Sequence, residues 1–280
     1  MLSETQIKSI CAKYGIVPSK SKGQNFLIDT DVVSKIIIAS NINSGDTVME
    51  VGPGVGVLTG ELLKVSGKLL AIELDRNACD FLQAEFGKDS KFELIEKDIL
   101  RLNKSEAGLE NFGYKVVANL PYNITSKFLR LFLEQEPKPS EMILMVQYEV
   151  AERIVAPAGE MSLLSLSAQF YSEAEIVFQV KRNSFWPAPK VDSAVIRLKL
   201  KEKLPKIDSK LFFRMAKIGF SSRRKQLHNN LSVGLKISSV EAKEAIKTCG
   251  FDEKIRAQDL SVENWIRLAN ILNYGEQSKN

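Results

Sequence analysis

Asn119, Leu120, Pro121 and Tyr122 stand where an apolar, β-branched run, KVVANL, stops and the chain turns polar. These residue types suit one kind of chemistry, the activation of a weakly nucleophilic amine. The exocyclic amine of adenine is such a group, because its lone pair is delocalised into the ring. Two acceptors on its two N–H groups draw the nitrogen toward a tetrahedral shape and aim the lone pair at an electrophile. Asn119 Oδ1 supplies one acceptor and the Leu120 carbonyl the other. Pro121 restricts the backbone of Leu120, so that carbonyl keeps its direction. Tyr122 offers a ring for the base to stack on, worth about 1–3 kcal/mol. Positioning and electrostatics carry such a reaction without an acid or base of displaced pKa. That agrees with a single histidine, His228, in 280 residues. The competing reading is a proline turn after a strand. A second aromatic candidate is Phe185, in NSFWPAPKVDS. Two prolines stiffen this loop, so that Phe185 or Trp186 covers the other face of an extruded base. Trp186 equally suits a core position beside a turn.

Three more residues fall at positions of the same kind. EVGPGVGVL supplies Gly52, Gly54 and Gly56, where the absence of a Cβ lets the backbone turn tightly and approach a ligand. This is not the G-x-G-x-x-G pattern, because residue 57 is Val. Glu73 lies 21 residues after Gly52, where a carboxylate accepts from both hydroxyls of a ribose. Its bland alternative is a solvated strand end. Asp98, in IEKDIL, suits the exocyclic amine of an adenine lying across the sheet edge, or else a helix N-cap. Gly52 with Glu73 suggests a nucleoside ligand, and NAD would satisfy both. Asp98 tilts the choice toward an adenine nucleoside lying along the strand ends.

Those residues need a sheet to line them up. DTVMEV, GKLLAIEL, KFELIEKDI, KVVANL and EMILMVQ read as strands. Between them VGVLTGELLKVS, RNACDFLQAEF and TSKFLRLFLEQ read as helices. Before them a helix through VVSKIIIAS is capped by Thr30 or Asp31. Apolar strands alternating with helices imply a parallel sheet covered on both faces, with ligands beyond the strands' carboxyl ends. Gly52, Glu73, Asp98 and Asn119 collect there. AQFYSEAEIVFQV and SAVIRLKL then form an antiparallel pair that finishes the sheet. After KEKLPKIDS the chain is helical through KLFFRMAKIGF, RRKQLHNNL, SVEAKEAIKTCG and SVENWIRLANILN. The boundary falls at Pro205, giving an α/β domain over residues 1–204 and a small helical domain over residues 205–280.

At 44% hydrophobic and 26% charged residues, the chain is an ordinary globular one, long enough for a large domain plus a small one. No run approaches the roughly 20 apolar residues of a membrane span. The start, MLSETQIKSICAKYG, lacks the apolar core of a signal peptide. Cys11, Cys79 and Cys249 have no metal-ligand spacing and read as reduced thiols. A cytoplasmic protein with no metal and no membrane partner is expected. The net charge is +5, concentrated in residues 197–236, which hold twelve Lys and Arg against Glu202 and Asp208. A basic segment on an otherwise acidic chain suits a polyanion, or is a solvated charged face. Phe212, Met215, Phe220 and Leu227 recur at helical spacing, leaving Arg214, Lys217, Arg223, Arg224 and Lys225 to an outer face or turn. Lys20 and Lys22, in the N-terminal lead, are a second basic candidate.

KGQNFLID, EVGPGVGVLT, AIELDR, EKDIL, NLPYNIT, FWPAPKVDSAV and FSSRRKQLHNNL span nearly the whole chain. In these motifs the sequence resembles the ribosomal RNA adenine dimethyltransferases, and within them the small-subunit, KsgA-type branch. The resemblance implies a Rossmann-like class I S-adenosylmethionine-dependent methyltransferase sheet with a small C-terminal all-helical domain. It implies dimethylation of two adjacent adenosines in the 3′-terminal hairpin loop of 16S rRNA, in the 30S subunit or its precursor, by a monomer during ribosome assembly. S-adenosylmethionine would be held by Asn25, Leu27, Gly52, Glu73, Asp98 and Asn119, and the base by Leu120 and Tyr122 with Phe185 nearby. VAPAGEMSLLSL departs from the family, where a longer basic loop is usual. The large-subunit enzymes of macrolide resistance share the Gln-Asn-Phe-Leu lead and an Asn-x-Pro-Tyr motif, and are the nearest alternative. A non-enzymatic nucleic-acid-binding factor on the same scaffold is another. An NAD dehydrogenase lacks a residue suited to hydride chemistry.

Overall fold

The computed structural model describes residues 2–18 and 24–277. Lys20 and Lys22 lie outside the described residues. Two compact units emerge, one of residues 1–151 with 172–202, the other of residues 152–171 with 203–280.

The first unit begins with α1 (Glu4–Tyr14), β1 (Phe26–Leu27) and α2 (Thr30–Ser40). The alternation that follows is β2 (Thr47–Val51), α3 (Thr59–Val65), β3 (Lys68–Glu73), α4 (Arg76–Phe86), β4 (Phe92–Glu96), β5 (Tyr114–Asn119), α5 (Thr125–Glu134) and β6 (Glu141–Gln147). After α6 (Tyr148–Val155) and α7 (Leu163–Tyr171) come β7 (Ser172–Val180), β8 (Phe185–Trp186) and β9 (Ser193–Leu200). Seven strands form one sheet in the order β4-β3-β2-β5-β6-β9-β7. β9 pairs antiparallel with both β6 and β7, and the other neighbours are parallel. The chain order reverses about β2, whose neighbours are β3 and β5, and a crevice opens at such a switch point.

Successive residues of β2, β3 and β5 are buried, as a sheet covered on both faces requires. On one face Val48, Leu69, Val117 and Ile143 pack with Val33 and Ile36 of α2 and Leu62 of α3. A second cluster joins Ile7 and Cys11 of α1 to Ala78, Phe81 and Leu82 of α4, with Phe26 and Val55.

Three sequence expectations need correction. The cap of α2 is Asp29, not Thr30 or Asp31, and it accepts from the N–H groups of Asp31 and Val32. Residues 168–171 are not strand but the last turn of α7. Their apolar side chains face other helices, with the Phe170 ring stacked on Phe212 at 4.6 Å. For the same reason residues 152–171 belong with the second unit rather than with a single domain over 1–204. The second unit continues with α8 (Ser209–Gly219), α9 (Leu227–Leu235), α10 (Ser239–Thr248) and α11 (Val262–Gln277). Trp265 is fully buried in it, with Phe220 stacked on the indole at 5.6 Å. Loop 156–162 docks through the N–H groups of Gly159 and Met161, which donate to the Gln258 carbonyl.

Candidate active site

Strand register brings the expected residues into one row. Val51 pairs with Ile72 on one side and Ala118 on the other, so Gly52 follows between Glu73 and Asn119. Glu73 in turn faces Glu96, two residues before Asp98. A cavity of about 310 Å³ opens over this row. That is within the range of small-molecule sites, roughly 300–1,000 Å³. Its walls include Asn25, Leu27, Gly52, Glu73, Asp98 and Asn119, six residues from five separate stretches of sequence.

Each wall residue has a local cause. Gly52 has φ +68°, and a Cβ built there would meet nothing within 4 Å, so its glycine is demanded by backbone conformation and the space above it stays open. At Gly54, φ is +58° and a Cβ would lie 2.8 Å from the Phe26 ring, so β1 closes directly over the turn. Glu73 is not a solvated strand end; it is buried. Its Oε2 accepts from Gly54 N–H at 3.0 Å, and its Oε1 from Leu74 and Asp75 N–H at 2.8 and 2.9 Å. A carboxylate has about four acceptor positions, so three N–H groups fix it and leave capacity for a ligand hydroxyl. Asp98 combines its two readings. It caps the short helix Ile99–Arg101 through Leu100 N–H at 2.9 Å while its residue lines the cavity.

Asn119 is held from an unexpected side. Its Nδ2 donates to the Asn25 carbonyl at 3.0 Å, which assigns the nitrogen to the lead and turns Oδ1 away from it. The lead is clamped further by β8. Phe26 pairs with Trp186 and Leu27 with Phe185, Ile28 N–H donates to the Ser184 carbonyl, and Ser184 Oγ donates to Asp29 Oδ2 at 2.8 Å. This clamp requires Phe185 to point inward. Its ring is buried with Leu27, Val180 and Val195, so it offers no face to a base as the sequence suggested. Trp186 stacks on Phe26 instead, with the Lys8 ammonium 5.4 Å from the indole. Leu120, also buried, follows Asn119 with its N–H donating to the Met145 carbonyl. Tyr122 is half-buried, and burial pushes its phenol above its ordinary pKa.

Glu50 is a charged wall residue that sequence reasoning missed, as it did Asp75 and Lys97. An acid inside the apolar strand TVMEV was the available signal. It is almost completely buried, and Thr59 Oγ1 at the start of α3 donates to its Oε2 at 2.7 Å. Burial, with help from the neighbouring charge of Glu73, raises its pKa from 4.5 to about 8.

In the second unit Arg223, Arg224 and Lys225 are exposed on the turn between α8 and α9, and Arg214 and Lys217 are exposed on α8. Beneath the turn, buried Asn230 donates through Nδ2 to the carbonyls of Gly219 and Ser222. Arg197, counted with the basic segment, is instead tied to Glu141 and Glu175 in the first unit. Among the described residues no cluster suits a metal ion, and no helix is long and apolar enough to cross a membrane.

The sheet order, the glycine turn and the acidic row define a class I methyltransferase fold with a small helical part, as in the solved structures it matches. The family described as ribosomal RNA adenine dimethylase matches residues 18–274, and the chain belongs to that family of methyltransferases. A ribosomal RNA small subunit methyltransferase A from Dehalococcoides mccartyi is 43% identical over 268 residues, 94% of this chain and 91% of that one. A dimethyladenosine transferase from Plasmodium falciparum superposes with a TM-score of 0.77 at 25% identity, covering 90% of this chain and 98% of the other. The 23S rRNA methyltransferase ErmE superposes with a TM-score of 0.73 at 25% identity, covering 89% of this chain and all of that one.

Proposed function

We propose that this protein dimethylates the exocyclic amines of two adjacent adenosines in the 3′-terminal hairpin loop of 16S rRNA, acting as a cytoplasmic monomer on the 30S subunit or its precursor. The observation that carries the reading is the orientation of Asn119. With Nδ2 engaged by Asn25, its Oδ1 is the acceptor left for an amine at the end of β5. The residues present fit S-adenosylmethionine. Buried Glu73 receives ribose hydroxyls, Asp98 receives the adenine amine, and the bare turn at Gly52, between Glu73 and Asn119, admits the methionine part beyond the ribose. When bound, S-adenosylmethionine supplies a methyl group on a sulfonium, which departs as a neutral thioether. Asn119 and the Leu120 carbonyl hold the two N–H groups of the unmethylated amine, and one of these acceptors holds the single N–H left after the first transfer. At each transfer the methylated nitrogen sheds one proton to solvent, and Tyr122 stacks the base. Preorganised dipoles of this kind need no reorganisation during reaction. Arg223, Arg224 and Lys225 neutralise phosphates and orient the particle without reading sequence.

The small-subunit names of its curated relatives support the choice of subunit, which the fold does not decide because a 23S rRNA enzyme shares it. Methyl transfer from labelled donor is measured on 30S particles, 50S particles and naked 16S and 23S RNA. Label confined to two adjacent adenosines of the 16S terminal hairpin is expected. Label in 23S RNA refutes this reading in favour of the large-subunit one, and no transfer to any substrate refutes both.

A further inference from the structure

Ser193 has no part in the reading above, yet it is fully buried at the first position of β9. The ladder seats it between Gln147 of β6 and Val180 of β7. Its neighbour Asp192 makes that seat rigid. The Asp192 carboxylate accepts from Arg182 N–H at 3.0 Å, Lys181 Nζ at 3.2 Å and Gln179 Nε2 at 3.4 Å. Asp192 also accepts Tyr148 N–H on its carbonyl.

From this seat Ser193 Oγ lies 2.8 Å from the Tyr122 hydroxyl, 71 residues away in sequence. Tyr122 is therefore held at both ends. Its backbone follows Pro121, whose carbonyl accepts Ile124 N–H at 3.1 Å, and its ring tip is tied to a strand two places from β5 in the sheet. A phenylalanine would stack a base as well as a tyrosine does, because stacking uses the ring face and not the hydroxyl. What the hydroxyl adds is the tie. A ring that swings away leaves a buried serine hydroxyl without its partner, an unfavourable state. A phenol is protonated at neutral pH at its ordinary value, and burial pushes that of Tyr122 further up.

We propose that Ser193 is a positioning residue for the target base: its hydroxyl fixes the plane of the Tyr122 ring, so that a base stacked there presents its amine to Asn119. This rests on Tyr122 being the stacking platform of the proposed reaction.

The test is a double-mutant cycle on 30S particles, read by single-turnover methylation at saturating donor, with donor affinity and Tm measured alongside. Ser193→Ala and Tyr122→Phe should each slow the reaction by roughly two- to twelvefold, the equivalent of one net hydrogen bond. The double variant should be no slower than either single one, because both remove the same contact. Donor affinity should not move, and Ser193→Thr, which keeps the hydroxyl, should recover rate. Additive losses, or a loss in Ser193→Ala with none in Tyr122→Phe, would overturn the proposal. If Ser193→Ala does not fold, Tyr122→Phe removes the same bond from its partly exposed end, and an undiminished rate there overturns the proposal equally. Tyr122→Ala separates the two levels. Wild-type rate in Tyr122→Ala refutes the platform itself, whereas a strong loss there with wild-type rate in Tyr122→Phe refutes only the role of Ser193.

Discussion

Asn119 has two jobs that substitutions can pull apart. Its Nδ2 donates to the Asn25 carbonyl, and in the proposed reaction its Oδ1 accepts from the target amine. Asn119→Ala removes both. Losing one preorganised contact at a reacting centre costs on the order of 10²–10³ in rate. Losing the tie to Asn25 removes one neutral hydrogen bond, about 0.5–1.5 kcal/mol net. Because Asn25 and Leu27 wall the donor cavity, that loss falls on donor affinity, which should weaken by roughly two- to twelvefold. Asn119→Asp keeps an acceptor for the amine but sets a carboxylate oxygen against the Asn25 carbonyl. Two facing acceptors in a half-buried site cost about 1–3 kcal/mol, more when one is charged. The aspartate variant should therefore lose more donor affinity than the alanine variant while keeping more of the rate at saturating donor.

Calorimetric titration of donor with each variant, and single-turnover methylation of 30S particles at saturating donor, measure the two effects separately. The reasoning is refuted by an alanine variant that methylates at near wild-type speed. A donor affinity unchanged in both variants refutes the coupling between Asn119 and the lead.

Glu73→Ala should weaken S-adenosylmethionine binding by about 1.5–3 kcal/mol, the value of a charge-assisted bond, and should lower Tm because three N–H groups lose their acceptor. An unchanged dissociation constant with a lowered Tm would mean that Glu73 only closes the turn. Glu50 has a folded pKa of about 8 against an ordinary 4.5, so the native state keeps its proton after the unfolded chain has released one. Its contribution to stability is thus complete below pH 4.5 and lost as pH rises through about 8. Thermal melts should show wild type losing stability relative to Glu50→Gln across that window, and a flat difference would mean that Glu50 titrates normally. Arg223→Ala with Arg224→Ala should weaken 30S binding and flatten its salt dependence by roughly 0.7–0.9 in logarithmic slope per lost phosphate contact. Donor affinity should hold, and an unaltered slope would make this turn a merely solvated face.

What the sequence made legible was local. The strand ends could be read because β-branched apolar runs are bounded by Gly52, Glu73 and Asn119, and parallel register then does the assembly. Helices α6 and α7 were missed for physical reasons. The first, YEVAERIV, starts directly where β6 ends. The second, LLSLSAQFY, is apolar on most sides because it packs among other helices, so no amphipathic period marks it. Phe185 was misread because aromatic content next to prolines says nothing about which way a ring points.

The ties that set the geometry of the site join positions far apart in the chain. Asn119 reaches 94 residues back to Asn25, Ser184 reaches 155 residues to Asp29, and Tyr122 meets Ser193 across 71. All three connect the lead or the NLPY strand end to something remote, and two of them end in the 184–193 segment. Composition and periodicity carry no trace of such pairings, because each partner taken alone is an ordinary polar residue near a turn. The cavity-lining candidates are thus readable from type and spacing, while the pairings that hold them are not. Mutations at Ser184 or Ser193 should therefore act through Asp29 and Tyr122, the side chains they hold, although both serines stand in segments that the sequence already singles out.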